Sequence, residues 1–146
     1  MKNVRDILHS KGDAEIYSVE PGAMVVEALK LMAEKKVGAL LVLEHGKPVG
    51  IFSERDYARK IALLERSSRT TEIRQVMTAD LICVGPSETM ESCMELMTEK
   101  HIRHLPVLED NRLIGLISIG DLVKNIIEDQ KAMILQLEKY VRGETY

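Results

Sequence analysis

Apolar positions along the chain change period in a fixed order, and the order occurs twice. A short extended stretch at 15–19 is followed by Pro21, after which Val25, Ala28, Leu29 and Met32 fall at i, i+3, i+4 and i+7, the spacing of one helix face. Two β-rich runs follow, 39–43 and 49–52, and His45-Gly46 between them supplies the positive φ of a tight hairpin turn. A closing helix carries Tyr57, Ile61 and Leu64. The series then restarts with an extended stretch at 81–84 and a helical stripe of Met90, Cys93, Met94 and Met97. It ends with runs at 105–108 and 114–117 around Asp110-Asn111, and a helix carrying Leu122, Val123, Ile126 and Ile127. The methionine-rich faces read as adaptable core packing. In the last helix the apolar positions continue through Met133, Ile134, Leu137 and Val141 before Gly143, so its extra turns need a partner surface.

The two series are a true repeat. Residues 19–57 overlay 84–122 without a gap, Pro21 falling on Pro86, and Leu31, Met32, Glu34, Lys35, Leu40, Val42, Leu43, Glu44, Gly50, Ser53 and Asp56 all recur in register. Val4-Arg5-Asp6-Ile7-Leu8 similarly resembles Ile73-Arg74-Gln75-Val76-Met77, but at an offset larger by four residues, which places the surplus in a polar stretch near 9–13. The chain therefore divides into a first repeat with its N-terminal segment, 1–69, and a second with an extended C-terminal helix, 70–146. One such unit has too little core to stand alone. The expected fold is α+β, two β-α-β-β-α units packed sheet to sheet about a pseudo-twofold axis, with a cleft at each side.

Composition narrows the function. With 146 residues, 45% hydrophobic and 29% charged, the chain has the make-up of a globular domain, and its net charge of −3 disfavours a duplex nucleic-acid surface. No run approaches the roughly 20 apolar residues of a membrane span, and residues 1–9 lack the apolar core of a signal peptide, so a cytoplasmic protein without membrane association is expected. Cys83 and Cys93 read as reduced, buried thiols. His101 and His104 have no Cys or carboxylate at metal-site spacing, and neither a phosphate-binding glycine loop nor a defensible nucleophile triad is present. Neither a metal nor a catalytic cofactor is expected, and the chain reads as non-catalytic.

The remaining chemistry lies where a strand meets a helix: Gly50-Ile51-Phe52-Ser53-Glu54-Arg55-Asp56 and Gly115-Leu116-Ile117-Ser118-Ile119-Gly120-Asp121. Ser-x-x-Asp is a helix capping box. The same geometry offers free N–H groups to a phosphate and a carboxylate to ribose hydroxyls, and the two readings are compatible. Arg55 adds a cation to the first turn, while Gly120 permits close backbone approach at the second.

This twofold pattern closely resembles the cystathionine β-synthase (CBS) domain, whose tandem pairs are called Bateman modules. The resemblance implies a pair that binds adenosine derivatives such as AMP, ADP, ATP, NAD or S-adenosylmethionine, with Asp56 and Asp121 on the riboses and Ser53 and Ser118 near the phosphates. It also implies base contacts from the first strand and the segment entering the second. Those are Ile16, Tyr17, Val37, Gly38 and Ala39 in the first cleft, and Leu81, Ile82, Ile102, Arg103 and His104 in the second. Ile51 and Leu116 complete the two sets. With Arg103 and His104 where the first repeat has Gly38 and Ala39, the two clefts are expected to differ in ligand or affinity. Energy-state sensing, read by a homodimer interface or a regulated protein partner, is the implied role; a constitutive scaffold whose serines only cap helices is the alternative.

Overall fold

The computed structural model describes residues 2–12 and 15–143. Helix α1 (Val4–Ser10) precedes strand β1 (Ser18–Val19), helix α2 (Val25–Lys35) and the hairpin β2 (Ala39–Glu44) and β3 (Lys47–Ser53). A helical turn α3 (Glu54–Asp56) leads into π-helix over Tyr57–Ala62, and a 3-10 turn (Ile73–Gln75) opens the second repeat. Helix α4 (Met90–Lys100), hairpin strands β4 (His104–Glu109) and β5 (Arg112–Ser118), and helix α5 (Ile119–Val141) complete it.

Duplication extends to backbone irregularities. Both hairpins slip register at the same point, between Val42 and Leu43 and between Val107 and Leu108. Both central helices end on a left-handed residue, Lys36 and His101, and both hairpin turns carry positive φ, at His45-Gly46 and Asp110-Asn111. The two sheets approach one another along β3 and β5.

Two elements differ from their sequence patterns. Only Ser18–Val19 of the first extended stretch forms a strand, parallel to β2, and 81–84 forms none: Val84 makes a single parallel bridge to Val107. Apolar composition drew these segments into the cores, but the prolines and glycine that follow limit how far the ladder can run. The closing helix of the first repeat is also cut short. Its bonds widen to i→i+5, Leu63 N–H to Ala58 O, which changes the phase of the stripe, and Leu64 is exposed while Ile61 is buried. In contrast, α5 runs for 23 residues.

Each repeat is completed by the segment that precedes the other. Val4 and Ile7 of α1 lie in one core with Met90, Cys93, Leu105, Ile117 and Leu122, whereas Ile73 and Val76 lie in the other core with Val25, Leu40, Phe52 and Ile61. Main-chain bonds secure both: Val4 N–H to Glu88 O (2.9 Å) and Met90 N–H to Lys2 O (3.1 Å), then Val25 N–H to Thr71 O (2.9 Å) and Ile73 N–H to Ala23 O (2.8 Å). Neither half can therefore close its core without chain from across the boundary at 69/70. Part of the four-residue surplus extends the helix: α1 runs on through His9 and Ser10, with Lys11 as its C-cap and Gly12 beyond it, whereas the 3-10 turn has three residues. Of the predicted polar stretch, Asp13 lies outside the described residues.

Candidate functional site

Both strand-to-helix turns are built alike. Ser53 and Ser118 cap their helices through the N–H groups of Asp56 and Asp121, and each aspartate accepts from its serine's own N–H at 2.9 Å. Each turn is also pinned to its own repeat, Glu54 N–H to Gly38 O (3.0 Å) and Ile119 N–H to Arg103 O (2.9 Å).

A cavity of about 710 Å³ opens between the repeats, in the size range of small-molecule sites. Ile16, Tyr17, Val37, Gly38 and Ala39, the set the family resemblance implies for a first cleft, are all among the lining residues. The second repeat adds Leu116, Ser118 and His104; Ser53, Asp56 and Asp121 are not among the lining residues, although Asp121 is bonded to two of them, Lys11 and Ser118. The site is thus composite, because β5 turns the side chains of Ile114, Leu116 and Ser118 to the cleft, with Gly115 also in the lining, while Ile117 enters the core. Further lining comes from Leu8, His9, Lys11 and Gly12, at the end of α1, and from Glu15. These escaped the motif reading; the four-residue surplus marked His9, Lys11 and Gly12, and nothing marked Leu8 or Glu15.

Lys11 governs the electrostatics here. Its Nζ donates to Leu116 O at 2.8 Å and to Asp121 Oδ2 at 2.9 Å. Burial pushes the Asp121 carboxyl up, but the Ser118 amide, the Lys11 ammonium and the Ser118 hydroxyl outweigh it and hold the group below its ordinary range. Among the described residues no donor reaches Oδ1 of Asp121. Burial, offset in part by Asp121 and aided by Lys11 and Arg103, pulls His104 below its usual value, so the imidazole at the cavity wall is neutral at pH 7.

The counterpart turn is occupied by the chain itself. Asp56 Oδ2 accepts from the Ser53 N–H and hydroxyl, and Oδ1 accepts from the Thr78 hydroxyl (3.0 Å) and faces Lys60 Nζ (3.1 Å). Ile51 is bridged on both sides of its peptide to Thr78, with N–H···O distances of 2.9 and 2.8 Å. The remaining predicted residues do not line the cavity. Arg55 reaches His101 O at 3.5 Å, Ile82 and Ile102 pack against the second core, Leu81 is half-buried, and Arg103 and Gly120 are exposed. Burial and Glu88 push the Cys93 thiol up to about 11, and burial also raises Cys83, so neither is primed as a thiolate. No group of three His, Cys, Asp or Glu able to hold a metal occurs among the described residues, and no helix there is long and apolar enough to cross a membrane.

The CBS domain family profile matches the chain twice, over residues 4–63 and 73–128. The chain belongs to the CBS domain family. This CBS pair is 36% identical over 148 residues to the mitochondrial CBS domain-containing protein CBSX3 of Arabidopsis thaliana, covering 96% of the present chain and 72% of that one. Among solved structures it superposes with a TM-score of 0.85 and 53% identity on a protein from Burkholderia ambifaria described as a signal-transduction protein with CBS domains, covering 88% and 96% of the two chains. The CBS domain pair of protein MJ0100, solved with 5′-methylthioadenosine and S-adenosylmethionine, shares the fold at TM-score 0.76 and 23% identity, over 88% of this chain and 98% of that one.

Proposed function

We propose that this CBS pair is a non-catalytic cytoplasmic regulator that binds an adenine nucleotide of the AMP, ADP, ATP, NAD or S-adenosylmethionine class in the cleft beside Asp121. The observation that carries the reading is the composite cavity, in which apolar Ile16, Tyr17 and Val37 share the lining with Lys11 and Ser118, the two residues that hold Asp121 at the start of its helix. A purine would lie against the apolar wall, its ribose hydroxyls donating to the open Oδ1 of Asp121. Lys11 and Ser118 then face the phosphates. The adenosine ligands of MJ0100 support the class.

The signal has a physical route. The end of α1 lines the cleft, while its start is tied to α5 by Lys2, whose Nζ pairs with Asp129 Oδ1 at 2.9 Å and donates to Asn125 Oδ1 at 3.1 Å. Along α5, Val123, Ile127, Ile134, Leu137 and Val141 are exposed at intervals of three, four or seven residues, the stripe expected of a helix that pairs with a second copy. A ligand that moves Lys11 would shift α1 against α5 and so bias a homodimer or a regulated partner.

Thermal melts with AMP, ADP, ATP, NAD and S-adenosylmethionine test the reading, since a ligand at a hundred times its Kd stabilises by about 2.7 kcal/mol. If none raises the midpoint, the pair is a dimerisation scaffold with α5 as its working surface.

A further inference from the structure

The two aspartates are equivalent in sequence and unequal in coordination. Asp121 spends one oxygen on the Ser118 N–H and Lys11, leaving Oδ1 facing no donor among the described residues. Both oxygens of Asp56 are engaged, Oδ2 by the Ser53 N–H and hydroxyl and Oδ1 by the Thr78 hydroxyl and the Lys60 ammonium. Asp56 is also the more buried, its side chain 10% exposed against 21% for Asp121. The blocking residue comes from the segment between the repeats: Thr78 is fastened to Ile51 by two main-chain bonds, and Met77 Sδ lies 2.6 Å from where a Cβ on Gly50 would stand.

We infer that the module holds one nucleotide and not two, because Thr78 sits on Asp56 as a tethered surrogate for a ribose hydroxyl and closes that cleft with the chain's own backbone. This rests on the nucleotide reading of the Asp121 cleft. At the pseudo-equivalent place the longer α1 delivers Leu8 and Lys11 instead, and Lys11 meets Asp121 on one oxygen only. A ligand entering beside Asp56 would have to displace a hydroxyl, an ammonium and a backbone segment bridged to Ile51 together. Beside Asp121 it meets an unoccupied oxygen.

Isothermal titration of the full chain with AMP, ATP, NAD and S-adenosylmethionine decides the matter, with equilibrium dialysis of the radiolabelled nucleotide as the count. One equivalent per chain is expected. Asp121→Asn should weaken it roughly 10- to 100-fold, whereas Thr78→Val should change it less than twofold. Two equivalents per chain, or one that survives Asp121→Asn and vanishes with Thr78→Val, overturns the single-site assignment while leaving nucleotide binding intact. No binding by any of the four removes the nucleotide reading and this assignment with it. The wild-type count stands even if Asp121→Asn fails to fold.

Discussion

The segment before the first repeat and the segment before the second are copies that have diverged in length. Both cross to complete the opposite core, through Val4 and Ile7 in one case and Ile73 and Val76 in the other. Both also press a side chain onto the glycine of the opposing signature, Leu8 on Gly115 and Met77 on Gly50. After that point they part. The longer one runs on and lines a cavity with His9, Lys11 and Gly12, while the shorter bonds directly to the edge of β3 through Thr78. The longer preceding segment thus separates an open cleft from a closed one, although both signatures carry the same Gly, Ser and Asp.

Removing the shared property should have the largest effect. Ile7 is fully buried in the second core, so Ile7→Ala should cost about 2–5 kcal/mol. If the exchange of segments is real, hydrogen-exchange protection should fall first in α4, β4 and β5, which follow a mutation site located ahead of the first repeat. Protection lost first in α2, β2 and β3 would show that α1 serves the repeat it precedes.

The divergent property should show in binding. Lys11→Ala removes a charge-assisted contact and should cost a phosphorylated nucleotide about 1.5–3 kcal/mol of affinity, with adenosine nearly unaffected. Equal loss for the two ligands in parallel titrations would mean that Lys11 only positions Asp121.

How much of this was legible in the sequence follows from what each feature depends on. The register of the repeats, the hairpin turns and the two caps are set by residues close together in the chain, and pattern alone located them. The grouping of the cleft was not local. Ile16 and Val37 line the cavity with Leu116 and Ser118 because the repeats meet along β3 and β5, a tertiary fact that no spacing encodes. Lys11 carries no motif; only the length mismatch between the two preceding segments pointed there. Likewise Thr78 and Lys60 saturate Asp56 from positions 22 residues later in the chain and four residues along its own helix, and Ser-x-x-Asp looks the same in either condition.

The glycines separate the two sides more finely. A Cβ on Gly50 would meet Met77 Sδ at 2.6 Å and the Thr78 carbonyl oxygen at 3.1 Å, whereas one on Gly115 would meet only Leu8 side-chain atoms, the nearest at 2.5 Å. Gly50→Ala should therefore cost about 1–3 kcal/mol, and Gly115→Ala less, since a leucine tip swings aside and a bridged backbone does not. Urea midpoints of the pair would refute the contrast if the order were reversed.

The smallest expected effect belongs to His104 at the open cleft. Its folded pKa lies below the ordinary 6.5, chiefly through burial, so below that pH the unfolded chain binds the proton more readily than the folded one. Stability should then fall as pH drops from 6.5 towards the folded value and level off beneath it. Asp121 does not contribute in this window: its carboxyl is held below its ordinary 3.8, so its stabilisation is intact above that value and is lost only as pH falls through the lower folded one. Comparing urea midpoints from pH 7.5 to 5 for the wild type and His104→Gln isolates the imidazole, and the wild type should show the steeper decline. An equal or steeper decline in the variant would place the proton elsewhere and remove His104 as a charge-sensitive wall of the cleft.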